Sequence, residues 1–221
     1  MQTTIAAVGW MLFAVWAVVS GIPSLWMIGR SLKRQADRLP DPAEWPFVSV
    51  VVPARDEAHK IEAGLRSLLA SDYPNFEVIA IDDRSRDETG AIMDRLAKGV
   101  GSLFQAASLN PRTPPDESRP EKDSRPRLNV IHITELPDDW LGKNHALHVG
   151  SRRASGEWIL FTDGDVVHEP HTLRRAVRFA IARGIDHLPM YPDIEAAGYF
   201  EASFVARFGL IFAAGTQPWL I

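Results

Sequence analysis

Four short apolar runs alternate with segments of helical spacing between residues 47 and 185, and that rhythm limits the possible folds more than any other feature. Residues 47–52, 76–81, 128–133 and 159–162 are rich in Val, Ile, Leu and Phe and are bounded by polar or turn-forming residues, so they read as buried strands. The first is expected to stop at Pro53. Helices are expected between and after them. Ile61, Leu65, Leu68 and Leu69 share one helical face, Ile92 and Leu96 mark a shorter helix, and residues 144–154 form another. Leu173, Ala176, Val177, Ala180 and Ile181 complete the series with the stripe of an amphipathic helix. Strands and helices in strict alternation predict right-handed βαβ units, hence an α/β fold with a mostly parallel sheet and flanking helices.

The segments outside this rhythm have a different character. Residues 3–29 carry no charged side chain, and a bilayer span needs only about 20 apolar residues. Arg30, Lys33, Arg34 and Arg38 follow, with nothing basic before them. Residues 1–29 therefore read as a transmembrane anchor, single-pass in the inner (cell) membrane, with everything after residue 30 cytoplasmic. A cleaved signal peptide would need a basic start and a shorter apolar core. Residues 30–46, basic and then broken by Pro40, Pro42 and Pro46, read as a tether, and residues 47–221 as the folded domain. Within it, residues 110–127 hold five prolines and nine charged residues and predict an exposed, mobile loop. Further on, Leu188 and Met190 suit another strand. Tyr199, Phe200, Phe204, Phe208, Ile211 and Phe212 give an aromatic stripe suited to core or a membrane surface. The sequence stops at Trp219-Leu220-Ile221 without a capping signal, as expected of a C-terminally truncated domain. Net charge is −4, which carries no nucleic-acid signature. The absence of cysteine excludes disulfides, thiolate metal sites and a cysteine nucleophile.

Ligands of open α/β sheets bind outside the carboxyl ends of the strands, so the strand exits are the places to look for chemistry. The first exit carries Pro53, Arg55, Asp56 and Glu57, and the second Asp82, Asp83, Arg84 and Asp87. The third leads toward Trp140, Gly142 and Lys143, and the fourth into Asp163-Gly164-Asp165. Paired carboxylates repel unless a cation lies between them, and hard oxygen ligands suit Mg²⁺ or Mn²⁺ bound to a phosphate-bearing substrate. Asp83 suits a base N–H, Arg55 and Glu57 a nucleotide wall, and Lys143 a diphosphate. Each also has a plainer use. Asp82 or Asp83 can cap the helix near Thr89, where Asp87 is the stronger candidate, and Asp56 can cap the first helix with Glu57 in its first turn. Lys143 can be solvated, and the histidines at 132, 145, 148, 168, 171 and 187 suit surface or core.

Together these residues resemble the family 2 glycosyltransferases, which have the GT-A fold. Val48-Ser49-Val50-Val51-Val52-Pro53-Ala54-Arg55-Asp56-Glu57 is similar to their opening strand and P-A-R-N-E turn. Asp82-Asp83-Arg84-Ser85-Arg86-Asp87-Glu88-Thr89 is similar to D-D-x-S-x-D-x-T. Gly142-Lys143-Asn144-His145-Ala146-Leu147-His148-Val149-Gly150 resembles G-K-x-x-A-L-N-x-G with His148 in place of Asn, and Asp163-Gly164-Asp165 resembles the D-x-D. The Trp140-Leu141-Gly142-Lys143 variant behind an apolar N-terminus resembles the hopanoid-associated branch.

The resemblance implies that Pro53, Arg55, Glu57, Asp82, Asp83, Lys143 and Asp163 contact a UDP- or GDP-linked sugar, and that Asp163 and Asp165 hold the metal. It also implies inverting transfer to an acceptor hydroxyl, and the membrane anchor points to a lipid acceptor. The family's general base, in an E-D pair well beyond the D-x-D, has no counterpart before Ile221. A degenerate nucleotide-sugar-binding protein is therefore one alternative. Another is a haloacid-dehalogenase-type phosphatase, which also places D-x-D after a strand. There the motif opens the domain, whereas here three strands precede it.

Overall fold

The computed structural model describes residues 10–11, 35–108 and 127–190, with residues 198, 205 and 208, and gives side chains to residue 99 of the second helix. The predicted anchor at 1–29 lies outside the described residues apart from Trp10 and Met11, as do the loop at 110–127 apart from Arg127 and most of the aromatic stripe. Among the described residues no helix is long and apolar enough to cross a membrane.

The expected alternation is present. Its elements are β1 (Val48–Ala54), α1 (Ile61–Leu69), β2 (Phe76–Asp83), α2 (Thr89–Ser108), β3 (Arg127–Ile133), α3 (Gly142–Arg153), β4 (Trp158–Phe161) and α4 (Thr172–Arg183). Among the described residues all strand pairings are parallel, in the order β3-β2-β1-β4. β1 runs two residues past its predicted end. The Val51 carbonyl accepts from Thr162 N–H on the β4 side, so Pro53, two residues on, faces the same way. The β1–β4 pairing ends at Val51, and the missing proline N–H therefore interrupts no ladder. Leu188 and Met190 are half-buried but form no strand, since Pro189 between them cannot donate to a ladder.

The alternating side chains of β1 and β2 build two cores. Val48, Val50, Val52, Val78 and Ala80 pack with Ile61, Leu65 and Leu68 of α1, Ile92, Met93 and Leu96 of α2, and Leu173 and Val177 of α4. Val51, Ile79, Ile81 and Ile133 pack on the opposite face with Ala146 of α3. Ile181, predicted to share the α4 stripe, is exposed, because it lies at the margin of that stripe, beyond Ala180.

The change of face follows from topology. From β1 the chain steps outward to β2 and β3, then crosses back over β1 to β4. A right-handed crossover places its helix on one face in the first direction and on the other in the reverse. The gap between β1 and β4 is thus a topological switch point, where open α/β sheets bind ligands. Residues 35–46 lie against α4. Ala36 is fully buried, Asp37 pairs with Arg175 at 2.8 Å, Asp41 pairs with Arg174 and Arg178, and the Arg174 guanidinium stacks over Trp45.

Candidate functional site

The switch point gathers three carboxylates and two lysines. Glu57 follows β1, while Asp163 and Asp165 follow β4. Gly164 separates the two aspartates because nothing larger fits. A Cβ there would lie 2.4 Å from Glu57 Oε2 and 2.8 Å from Ile61 Cδ1. Gly164→Ala is therefore expected to displace Glu57 or the β4 exit at about 1–3 kcal/mol of overpacking. A melting temperature equal to wild type would contradict that packing.

Each aspartate is met by a lysine from a different element. Lys143 Nζ, in the first turn of α3, donates to Asp163 Oδ1 at 2.6 Å. Lys60 Nζ, just before α1, donates to Asp165 Oδ2 at 3.3 Å. Glu57 Oε2 is shielded from solvent and has no hydrogen-bond partner. Burial pushes the Glu57 carboxyl above the usual range, and the charges of Asp165 and Asp163 add to the shift, with Lys143 and Lys60 opposing it. The site is thus short of positive charge.

Whether these residues suit a metal is a question of donors. Among the described residues no three His, Asp or Glu side chains are spaced to hold a metal ion. The chain nevertheless offers two hard carboxylates and the orphaned Glu57 oxygen. Mg²⁺, and Mn²⁺ with the same oxygen preference, takes one or two carboxylates and completes its shell with water and substrate phosphates. The donor set fits such an ion.

The other two exits adjoin this cluster. Asp56 N–H donates to Ser85 Oγ, and Arg86 N–H donates to Asp56 Oδ1 at 2.6 Å, lacing the first exit to the second. Asp56 and Arg84 both take positive φ, 54° and 59°, a conformation that is strained in non-glycine residues and concentrates at functional sites. Asp87 caps as predicted, accepting from Thr89 N–H, and its other oxygen accepts from Ala58 N–H. Asp56 instead holds the neighbouring loop. Glu57 N–H donates to Thr89 Oγ1 at 2.8 Å, which fixes the backbone beneath its carboxylate. Arg55 is exposed, 3.8 Å from Asp56.

Asp83, predicted to read a base, is buried, and both its oxygens accept from Arg84, at 2.8 and 3.2 Å. Gly142 lies close over this pair, with a Cβ position 2.7 Å from Asp83 Oδ2. Asp82 accepts from Ser85 N–H and pairs with His132 Nδ1 at 3.0 Å, while His132 Nε2 lies 3.2 Å from Asp94. Burial pushes Asp82 up, but its bonds from Ser85 and His132 outweigh that and hold it low. The Asp82 hydrogen bond raises His132, against some desolvation and with help from Asp94.

The His132 clasp should therefore stabilise the fold fully below its ordinary value of about 6.5, and lose that effect as pH climbs through the raised folded value. His132→Gln should lower the melting temperature at pH 6, with the difference shrinking toward alkaline pH. A constant difference would contradict the clasp.

Two contributions escape prediction from the sequence. Lys60 lies 105 residues from Asp165, and no local spacing announces the pair. His132 is foreshadowed only by register, since it stands directly opposite Asp82.

The family model for glycosyl transferase family 2 matches residues 49–107 and 120–189. Glycosyltransferase AglE of Haloferax volcanii is 27% identical over 143 residues, 64% of this chain and 38% of that protein. Poly(ribitol-phosphate) beta-N-acetylglucosaminyltransferase TarS of Staphylococcus aureus is 27% identical over 133 residues, 59% of this chain and 18% of its own. Among solved structures, mannosyltransferase PcManGT from Pyrobaculum calidifontis, in complex with GDP-Man and Mn²⁺, is 29% identical with a TM-score of 0.49. That match covers 76% of this chain and 42% of the mannosyltransferase. The chain thus spans less than half the length of each of these relatives.

Proposed function

Since the chain belongs to glycosyl transferase family 2, we propose that its switch-point cluster is the donor site of a membrane-anchored transferase taking a sugar from a nucleoside diphosphate. The observation that carries this reading is the meeting of Glu57, Asp163 and Asp165 with Lys60 and Lys143 between β1 and β4. A diphosphate and a divalent ion together match such a mixture of anionic and cationic groups.

Asp163 and Asp165 would hold the metal, and Lys143 would turn from Asp163 toward a phosphate oxygen. When bound, Mg²⁺ or Mn²⁺ supplies charge neutralisation for the departing diphosphate. The chain's own part is to position and to exclude water. Asp83, fixed by Arg84, and the laced loops of the first two exits form the nucleotide wall, with the exposed Arg55, loosely paired with Asp56, beside it. Trp140, edge-on to His145 and tilted over His148, would cover the side of Lys143. Transfer with inversion requires a base to accept the acceptor hydroxyl proton, and the described residues offer no candidate for it on this cluster.

The uncharged segment at 3–29 motivates a lipid acceptor and a cytoplasmic, inner-membrane location for the domain. Acceptor profiling of the protein in membranes tests this part. Labelling of lipid extracts supports it, and labelling of soluble acceptors alone contradicts it.

Thermal unfolding with UDP, GDP, ADP and CDP, each with and without Mn²⁺, tests the donor site itself. Binding to the folded state raises the melting temperature by mass action. UDP or GDP should raise it only when Mn²⁺ is present. No shift with either nucleotide in Mn²⁺ would contradict the proposal.

A further inference from the structure

Lys60 belongs to none of the motifs that carry the family resemblance, yet its ammonium sits on an acidic group at the heart of the site. It lies at the N-cap position of α1, three residues beyond Glu57. The backbone there is fixed, since Lys60 and Ile61 N–H both donate to the Glu57 carbonyl at 3.0 Å. From this anchored base the side chain reaches Asp165 Oδ2 at 3.3 Å, with both partners about half exposed. An exposed pair of this kind is weak, so it opens readily.

The pairing creates a competition. A divalent ion bound by Asp165 would need the same carboxylate that Lys60 now occupies. Two like charges on one carboxylate repel, so a metal there would favour release of the ammonium from Oδ2. The lysine stem is flexible while its Cα is held by the turn at Glu57, so the displaced ammonium stays beside the site. Asp163, paired with Lys143 in the free protein, would be taken by the same metal and so offers the ammonium no new partner. The free oxygen of Glu57 is buried, so the exposed anion left within that space would be the diphosphate that accompanies the metal.

We propose that Lys60 is a diphosphate-binding residue that exchanges partners, holding Asp165 before the metal arrives and the donor's diphosphate afterwards. The inference rests on the donor-site reading above. In the free protein, Lys60 neutralises Asp165 and reduces its repulsion with Glu57 and Asp163. In the loaded protein, it adds a second cation to the diphosphate beside Lys143. The exchange couples the two ligands. Metal alone is opposed by Lys60, whereas metal with diphosphate is favoured by it.

Lys60→Gln separates these effects because they have opposite signs. Binding of Mn²⁺ alone is read from the paramagnetic resonance of free ion, and binding of UDP or GDP in saturating Mn²⁺ by calorimetry. The substitution should tighten Mn²⁺ alone several-fold and weaken the nucleoside diphosphate about ten-fold or more. Arg66→Gln, on α1 and paired with Glu62 rather than with the site, removes the same charge and serves as the control. It should change neither affinity appreciably, while Lys60→Arg should keep most of the diphosphate affinity.

Equal behaviour of the Lys60→Gln and Arg66→Gln proteins would overturn the proposal. So would loss of nucleotide affinity without tighter Mn²⁺ binding, or tighter Mn²⁺ binding without loss of nucleotide affinity. Absence of nucleotide binding by the wild-type protein would instead overturn the donor-site reading.

Discussion

Asp165→Ala is expected to abolish Mn²⁺-dependent binding of a nucleoside diphosphate, weakening it at least about 100-fold. Loss of outer-shell partners alone commonly weakens metal sites 10–100-fold, and Asp165 is proposed as a direct ligand. Its carboxylate now accepts from Lys60, so the substitution has a second consequence. Lys60 is released without a metal to displace it, and a residual, metal-independent attraction for the diphosphate should appear. Calorimetry with Mn²⁺ and with chelator measures both effects. Wild-type affinity in Asp165→Ala would remove the D-x-D from the site. Asp165→Asn keeps the shape and loses the charge, so it separates coordination from folding.

Stability should depend most strongly on a buried carboxylate at the opposite end of the sheet. Ser49 and Glu77 stand side by side on β1 and β2, and both are buried. Glu77 Oε1 accepts from Ser49 Oγ at 2.7 Å and from Ser155 N–H and Oγ at 3.1 and 2.7 Å. Asn129 adds a contact to Oε2 at 3.3 Å, and Ser49 Oγ accepts from Gly156 N–H at 2.8 Å. One carboxylate thereby ties β1, β2, β3 and the turn entering β4. Glu77→Ala would strand several of these donors, and a broken buried network of this size costs about 2–4 kcal/mol.

Burial pushes the Glu77 carboxyl up, yet the hydrogen bonds from Ser155 and Ser49 outweigh it and hold the group below its ordinary value. A depressed folded pKa means that the contribution is complete above the unfolded value near 4.3. It fades as pH falls through the lower folded one. Denaturant unfolding should therefore show a smaller Glu77→Gln penalty at pH 3 than at pH 7. A penalty that grew on acidification would contradict this network.

The same two ends show what the sequence discloses. The four strands were legible because their apolar runs are short, β-branched and sharply bounded, and the stripe of Ile61, Leu65 and Leu68 faces the core as its spacing requires. The rim location of the polar clusters followed from parallel topology alone. Partner choice did not. Glu77 falls inside a strand that reads as simply buried, and its partners come from three other segments. Asp83 looked free to read a base, but its neighbour Arg84 turns through positive φ and takes both oxygens. Pro53 looked like a strand end, and only the shorter β4 explains why β1 continues. Such outcomes depend on register and turn geometry, which periodicity does not encode.

On the reading proposed above, the crevice between β1 and β4 holds a nucleoside diphosphate through a metal on the D-x-D. Calorimetric titration of the wild-type protein with UDP and GDP, first in Mn²⁺ and then with the metal chelated, decides this. Saturable one-to-one binding of at least one nucleotide, lost on chelation, is the predicted result. Absence of binding by both nucleotides in Mn²⁺, or binding indifferent to chelation, would contradict it.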